Sequence, residues 1–139
     1  EQIRASEQRF YEQKEGGIGD ILEWYELHEK ESVWQRAAGV YIRILSQPQL
    51  YIEGNHRTGA LIMSYLLVRE GRPPFVLTVD NAKEYFDPST LIRNTKTRSI
   101  QMLVRLPKLK KHFARFLQQH THSLHLLSLP EIRERVVAK

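Results

Sequence analysis

No cysteine occurs in this chain, which excludes disulfides and thiolate metal sites. A chain without cysteine fits a reducing compartment. Long hydrophobic runs are missing as well. The longest, residues 60–68, is interrupted by Ser64 and ends at Arg69, well short of the roughly 18 residues that a membrane span needs. No basic stretch leads into an apolar one near the start, so no signal peptide is expected and the protein is expected to be cytoplasmic. No internal repeat or low-complexity tract is present.

What is present is 139 residues, enough for one domain with a core of its own. The charge is uneven along it. Residues 1–90 hold 10 Lys/Arg against 14 Asp/Glu, a net of −4, and residues 91–139 hold 11 against 2, a net of +9. A basic half points to nucleic acid, a nucleotide or an acidic partner. No aromatic platform accompanies that charge in the sequence, which favours a solvated basic face.

The apolar pattern predicts an all-α protein of five to seven helices. Residues 1–14 are polar and read as a frayed helix or a leader. Asp20 is a candidate N-cap for a helix to about Lys30, with Ile21, Trp24, Tyr25 and Leu27 at helical spacing. Ser32 is a candidate cap for the next, to about Ser46. A third helix is expected from about Arg57 to Glu70. It is apolar nearly all round, which predicts a central, buried position, and Gly71 before Arg72-Pro73-Pro74 marks its end. The segment 75–80 reads as an extended packing segment. Asp80 or Asn81 would cap a short helix through Phe86. Residues 87–90 would start another, continued by residues 99–106 and broken at Pro107. A basic amphipathic helix is expected over 108–120 and a last one from Pro130.

Between the second and third helices lies YIEGNHRTGA, residues 51–60. A helix start leaves about four backbone N–H groups without intrahelical partners and carries the positive end of the helix dipole. Gly54 admits unusual dihedrals and close approach, and Asn55 can pin a turn with its side chain. Arg57 offers a planar fork suited to phosphate oxygens. Glu53 would repel a bare phosphate but suits Mg²⁺, which bridges phosphate oxygens and takes one or two carboxylates. The local chemistry reads as a diphosphate–metal cradle or, more blandly, as a capped turn.

QLYIEGNHRTGA followed by LIMSYLLVREGRPPFVL resembles the core of Fic (Fido) domains, whose signature is HxFx[DE]GNxRxxR, over roughly residues 20–95. The resemblance implies a Fic-like helical bundle with the motif loop between two central helices, and one domain over 1–139 whose C-terminal helices, about 96–139, are basic. It implies transfer of AMP from ATP to a hydroxyl on a target protein, with Mg²⁺ and ATP or another nucleotide as cofactors. By position, Glu53 would hold the metal. The backbone of Gly54, Asn55 and His56 would form the anion hole, with Arg57 on the phosphate and Asn55 orienting it. Tyr51 takes the place of the family's Phe. Gln49 stands at the family's histidine, the general base, and an amide cannot serve as one. Loss of that base costs about 10²–10⁴-fold, so AMP transfer is expected to be weak or absent. Ala60 replaces the second arginine and His56 the usual glycine. No segment matches the family's inhibitory motif, Ser/Thr-x-x-x-Glu-Gly/Asn. The target-docking flap would fall near residues 11–19.

Other candidates are weaker. His56 is a possible displaced base, with an ordinary pKa of about 6.5, or simply an exposed histidine. His120, His122 and His125 offer a metal site that lacks a supporting carboxylate in the sequence. Trp24 and Trp34 read as core anchors. The alternative function is a helical module that binds nucleic acid or protein through its basic C-terminal half.

Overall fold

A computed structural model describes residues 1–12, 16–96, 99–122 and 125. Among them are six helices: α1 (Gln2–Phe10), α2 (Ile18–Leu27), α3 (Val33–Leu45), α4 (Asn55–Arg69), α5 (Ala82–Arg93) and α6 (Ile100–His120). No sheet forms among the described residues; one isolated parallel bridge joins Gln47 to Lys96. The expected helix from Pro130 lies outside the described residues. No described helix is long and apolar enough to cross a membrane.

The bundle is built round α3. Ala37, Ala38, Val40, Tyr41, Ile42, Ile44 and Leu45 are all buried, and α2, α4, α5 and α6 pack on it. Ser32 caps α3 as expected, accepting the Gln35 N–H at 3.2 Å. Gly39 faces the Trp24 ring so closely that a methyl group there would overlap it, and this seats Trp24 in the core. Trp34 is half-buried.

Three expectations are corrected. Asp20 does not cap α2. Gly17 holds that position and Asp20 sits in the first turn, where its carboxylate accepts the Gly16 N–H at 3.1 Å and meets Arg43 at 3.6 Å. Residues 16 and 17 are thus buried and tied down, and Ile18 and Gly19 are already helical. Within the expected flap, Gly16 and Gly17 are therefore held in place, while Tyr11 is exposed; residues 13–15 lie outside the described set. Next, neither Pro88 nor Pro107 breaks its helix: α5 and α6 run through them. A proline inside a helix costs about 3 kcal/mol. Here buried side chains on both sides hold the helix, Tyr85, Ser89 and Ile92 in α5, and Met102 and Phe113 in α6. Consequently residues 87–90 start no helix, and 99–106 belong to α6, capped by Ser99 on the Met102 N–H at 3.1 Å.

The third correction concerns α4. It begins at Asn55, two residues before the expected start, and ends on Gly71, at φ +73°. The Arg72 N–H reaches the Leu67 carbonyl at 2.8 Å and the Gly71 N–H that of Val68 at 3.0 Å, a Schellman end. But α4 is only half-buried. Gly59, Met63, Leu66 and Leu67 face the core, while Leu61 is 70% exposed and Tyr65 61%. The central helix is α3, because the described chain supplies neighbours on one side of α4 only.

Candidate functional site

The loop from Ser46 to Gly54 joins α3 to α4 and is pinned along its length. The Gln47 N–H donates to the Thr95 carbonyl at 2.7 Å, and its side-chain amide to the Arg93 carbonyl at 3.1 Å. Arg9 Nε donates to the Gln49 carbonyl at 2.7 Å, and Phe10 stacks on Tyr51 at 5.7 Å. Leu50 is fully buried, and its N–H donates to the Ile44 carbonyl at 3.2 Å. The first helix, α1, thus buttresses the loop.

Asn55 closes the turn. Its carboxamide oxygen accepts the Tyr51 N–H at 2.9 Å and its NH₂ donates to the Tyr51 carbonyl at 2.7 Å. The side chain is buried. The Asn55 amide is thus engaged with the loop backbone, with one oxygen lone pair and one N–H still uncommitted. The left-handed position is taken by Gly54, φ +76°, which has no Cβ to clash there. The first intrahelical bond runs from the Thr58 N–H to the Gly54 carbonyl at 3.0 Å. The N–H groups of Asn55, His56 and Arg57 precede it, so they have no intrahelical acceptor and leave a positive helix end.

Glu53 and Arg57 flank that end. Both are exposed, and among the described residues neither has a hydrogen-bond or ion-pair partner. His56 is half-buried. Desolvation and the nearby Arg93 guanidinium hold its imidazole below its usual range, so it is neutral near pH 7. Its carbonyl accepts the Tyr85 hydroxyl at 3.3 Å. Tyr85 belongs to a buried chain: Ser89 Oγ donates to the Tyr85 carbonyl at 2.6 Å and receives the Tyr41 hydroxyl at 2.8 Å. Burial raises the pKa of both phenols, so they remain donors. The first turn of α4 is thereby fixed from the core.

An open groove of about 510 Å³ leads away from this turn, lined by His56, Arg57, Leu61, Phe75 and Phe86 among others. Its walls are mostly apolar, and its volume falls within the ~300–1,000 Å³ of small-molecule sites. The His56 and Phe86 rings stand 6.2 Å apart. Ala60, where the family has an arginine, lines the same groove. The sequence reading missed Tyr85 and Phe86. They lie about thirty residues downstream, and only the fold of α5 onto α3 brings them here.

The described residues gather no group of three His, Cys, Asp or Glu that would cage a metal. A lone exposed carboxylate at Glu53 fits Mg²⁺ held mainly by phosphate oxygens and water, and does not fit an all-protein cation site. The histidines do not assemble either. His122 and His125 have ring centroids 6.4 Å apart, while His120 turns to Glu84, at 3.2 Å, and lies on Phe116. A carboxylate is thus near after all, brought by α5 from 36 positions away. No protein-family model, curated protein or solved structure matches the chain.

Proposed function

We propose that the loop 49–57 and the first turn of α4 bind the diphosphate of a nucleotide together with Mg²⁺, in a divergent Fic-type protein in which AMP transfer is weak. The observation that carries this reading is the start of α4. Three backbone N–H groups lie behind a left-handed Gly54, with an unpaired carboxylate on one flank and an unpaired guanidinium on the other. Backbone donors at a helix start favour phosphate, and the Arg57 fork adds charge-assisted bonds. Glu53 would hold the ion, which when bound offsets phosphate charge. The apolar groove beside His56 and Phe86 supplies a surface for a flat base.

In this reading Gln49 takes no proton, because its amide does not titrate usefully. His56, neutral near pH 7, is the nearest imidazole in the motif able to accept one. The partners that follow are a nucleotide and a protein presenting a hydroxyl side chain. The reading is tested by Gln49→His in Mg-ATP with labelled nucleotide. Restoring an imidazole is expected to raise self- or target labelling by about 10²–10⁴-fold, and Glu53→Ala in the same background is expected to abolish the gain. Labelling that stays at the background of the unaltered protein would count against an intact cradle.

A further inference from the structure

The basic half of the chain is not uniformly neutralised by the fold. Lys110 is tied to both oxygens of Glu31, at 2.7 and 2.8 Å, and lies over the Trp24 ring. Arg105, Lys108, Lys111 and Arg115 are different. All four are exposed, and among the described residues none has an ion-pair or hydrogen-bond partner. They recur every three or four residues along α6, so they share its outward face, over about 15 Å of axis. No acidic residue occurs in α6 to offset them.

The fold also supplies what the sequence lacks beside this charge. A polar cleft of about 270 Å³ between the start of α3 and α6 is lined by Lys111, Arg115 and Gln118 on one side and Ser32, Trp34 and Gln35 on the other. Trp34 is half-buried, so its ring is held by the core while part of it lines the cleft. An indole presents a flat π-face, and Gln35 and Gln118 carry amides that both donate and accept. The Ser32 hydroxyl is already engaged by the Gln35 N–H. The cleft lies at the far end of α3 from the loop, about 20 Å along a helix of 13 residues.

The geometry points to a second binding surface, for single-stranded nucleic acid, with the phosphates running along Arg105, Lys108, Lys111 and Arg115 and one base stacked on Trp34. A single strand is specified because only unpaired bases offer a face to an aromatic ring. An acidic peptide would satisfy the cations but leave Trp34 without a stacking partner. The surface is distinct from the nucleotide reading of the loop and does not depend on it.

The test is fluorescence anisotropy with a labelled 20-nucleotide oligothymidine. Affinity is expected to fall linearly with salt on a log–log plot, with a slope of roughly −0.7 for each phosphate contacted. Replacing both Lys111 and Arg115 by Ala should flatten that slope by about 1.4. Both side chains are exposed, so folding is not at stake. Trp34 emission should be quenched on binding, and Trp34→Leu should weaken binding about fivefold or more. Trp34→Phe keeps a ring and should retain most of the affinity. The control is Arg72→Ala, an exposed arginine just past α4 with no side-chain partner among the described residues and the same loss of charge. If Arg72→Ala weakens binding as much as Lys111→Ala, the attraction is only net charge and the proposal fails. It fails equally if no binding occurs at low salt, if duplex of the same length binds more tightly, or if polyglutamate competes equally well and the oligonucleotide leaves Trp34 emission unchanged.

Discussion

Two consecutive helices, both rich in apolar residues, meet different fates. Along α3 nearly every turn is buried, from Ala37 to Leu45. Along α4 the same kind of sequence leaves Leu61, Tyr65 and Val68 open to solvent. Composition is similar, so neighbours decide: α3 is surrounded, while α4 is packed on one side. The loop between them inherits this asymmetry. Its inner side is fixed by Leu50, Asn55 and Tyr85, and Glu53 and Arg57 remain outside. A rigid backbone with exposed charges is what binding an anion without reorganisation requires.

Truncating one leucine in each helix separates α3 from α4 by the largest margin. Leu45→Ala, in the buried helix, should destabilise the protein by about 2–5 kcal/mol. Leu61→Ala, on the open face, should stay within about 0.5 kcal/mol. Denaturant titration of both variants checks the pair, and equal losses would show that α4 is covered as fully as α3.

A smaller effect is expected at the joint. Asn55→Ala strands the Tyr51 N–H and carbonyl that its amide now satisfies. The expected cost is about 1–3 kcal/mol, together with loss of nucleotide binding, because Gly54 and the N–H groups of the first turn are held by that clamp. A variant that loses stability but binds Mg-ADP normally would separate the clamp from the cradle.

The smallest effect concerns pH. The imidazole of His56 is held below its ordinary value of about 6.5 by desolvation and Arg93. As pH falls below that value the unfolded chain takes up the proton first, so stability should fall until the folded-state pKa is reached and change no further below it. Above the unfolded value this residue contributes no slope. His56→Gln should remove this part of the pH dependence, and denaturant midpoints measured between pH 5 and 7.5 for both proteins would reveal it.

Much of this arrangement was readable before the fold. Ser32, followed by a broad apolar face, marks the start of α3, and Gly71 before Arg72-Pro73-Pro74 marks the end of α4, because caps depend on adjacent residues. The all-α class follows from the same periodicity. The expected end at Phe86 and the expected break at Pro107 do not occur, because a proline's penalty is local whereas the compensation, burial of Tyr85, Ile92, Met102 and Phe113, is tertiary. At the loop, residue types suggest the proposed cradle, whereas the bonding of the Asn55 amide to Tyr51 depends on the turn's conformation. Tyr85 beneath His56, Glu84 beside His120 and Trp34 beside Arg115 are meetings across long stretches of chain. Nothing near either partner in the sequence announces them.

The start of α4 is proposed to be a phosphate and Mg²⁺ cradle. Calorimetric titration with ADP, with and without Mg²⁺, tests it most directly on the unaltered protein, Arg57→Ala and Glu53→Ala. The account predicts saturable binding by the unaltered protein, loss of affinity in Arg57→Ala, and loss of the Mg²⁺ dependence in Glu53→Ala. No heat from the unaltered protein, or binding indifferent to both substitutions, would contradict it and leave the loop as a structural turn.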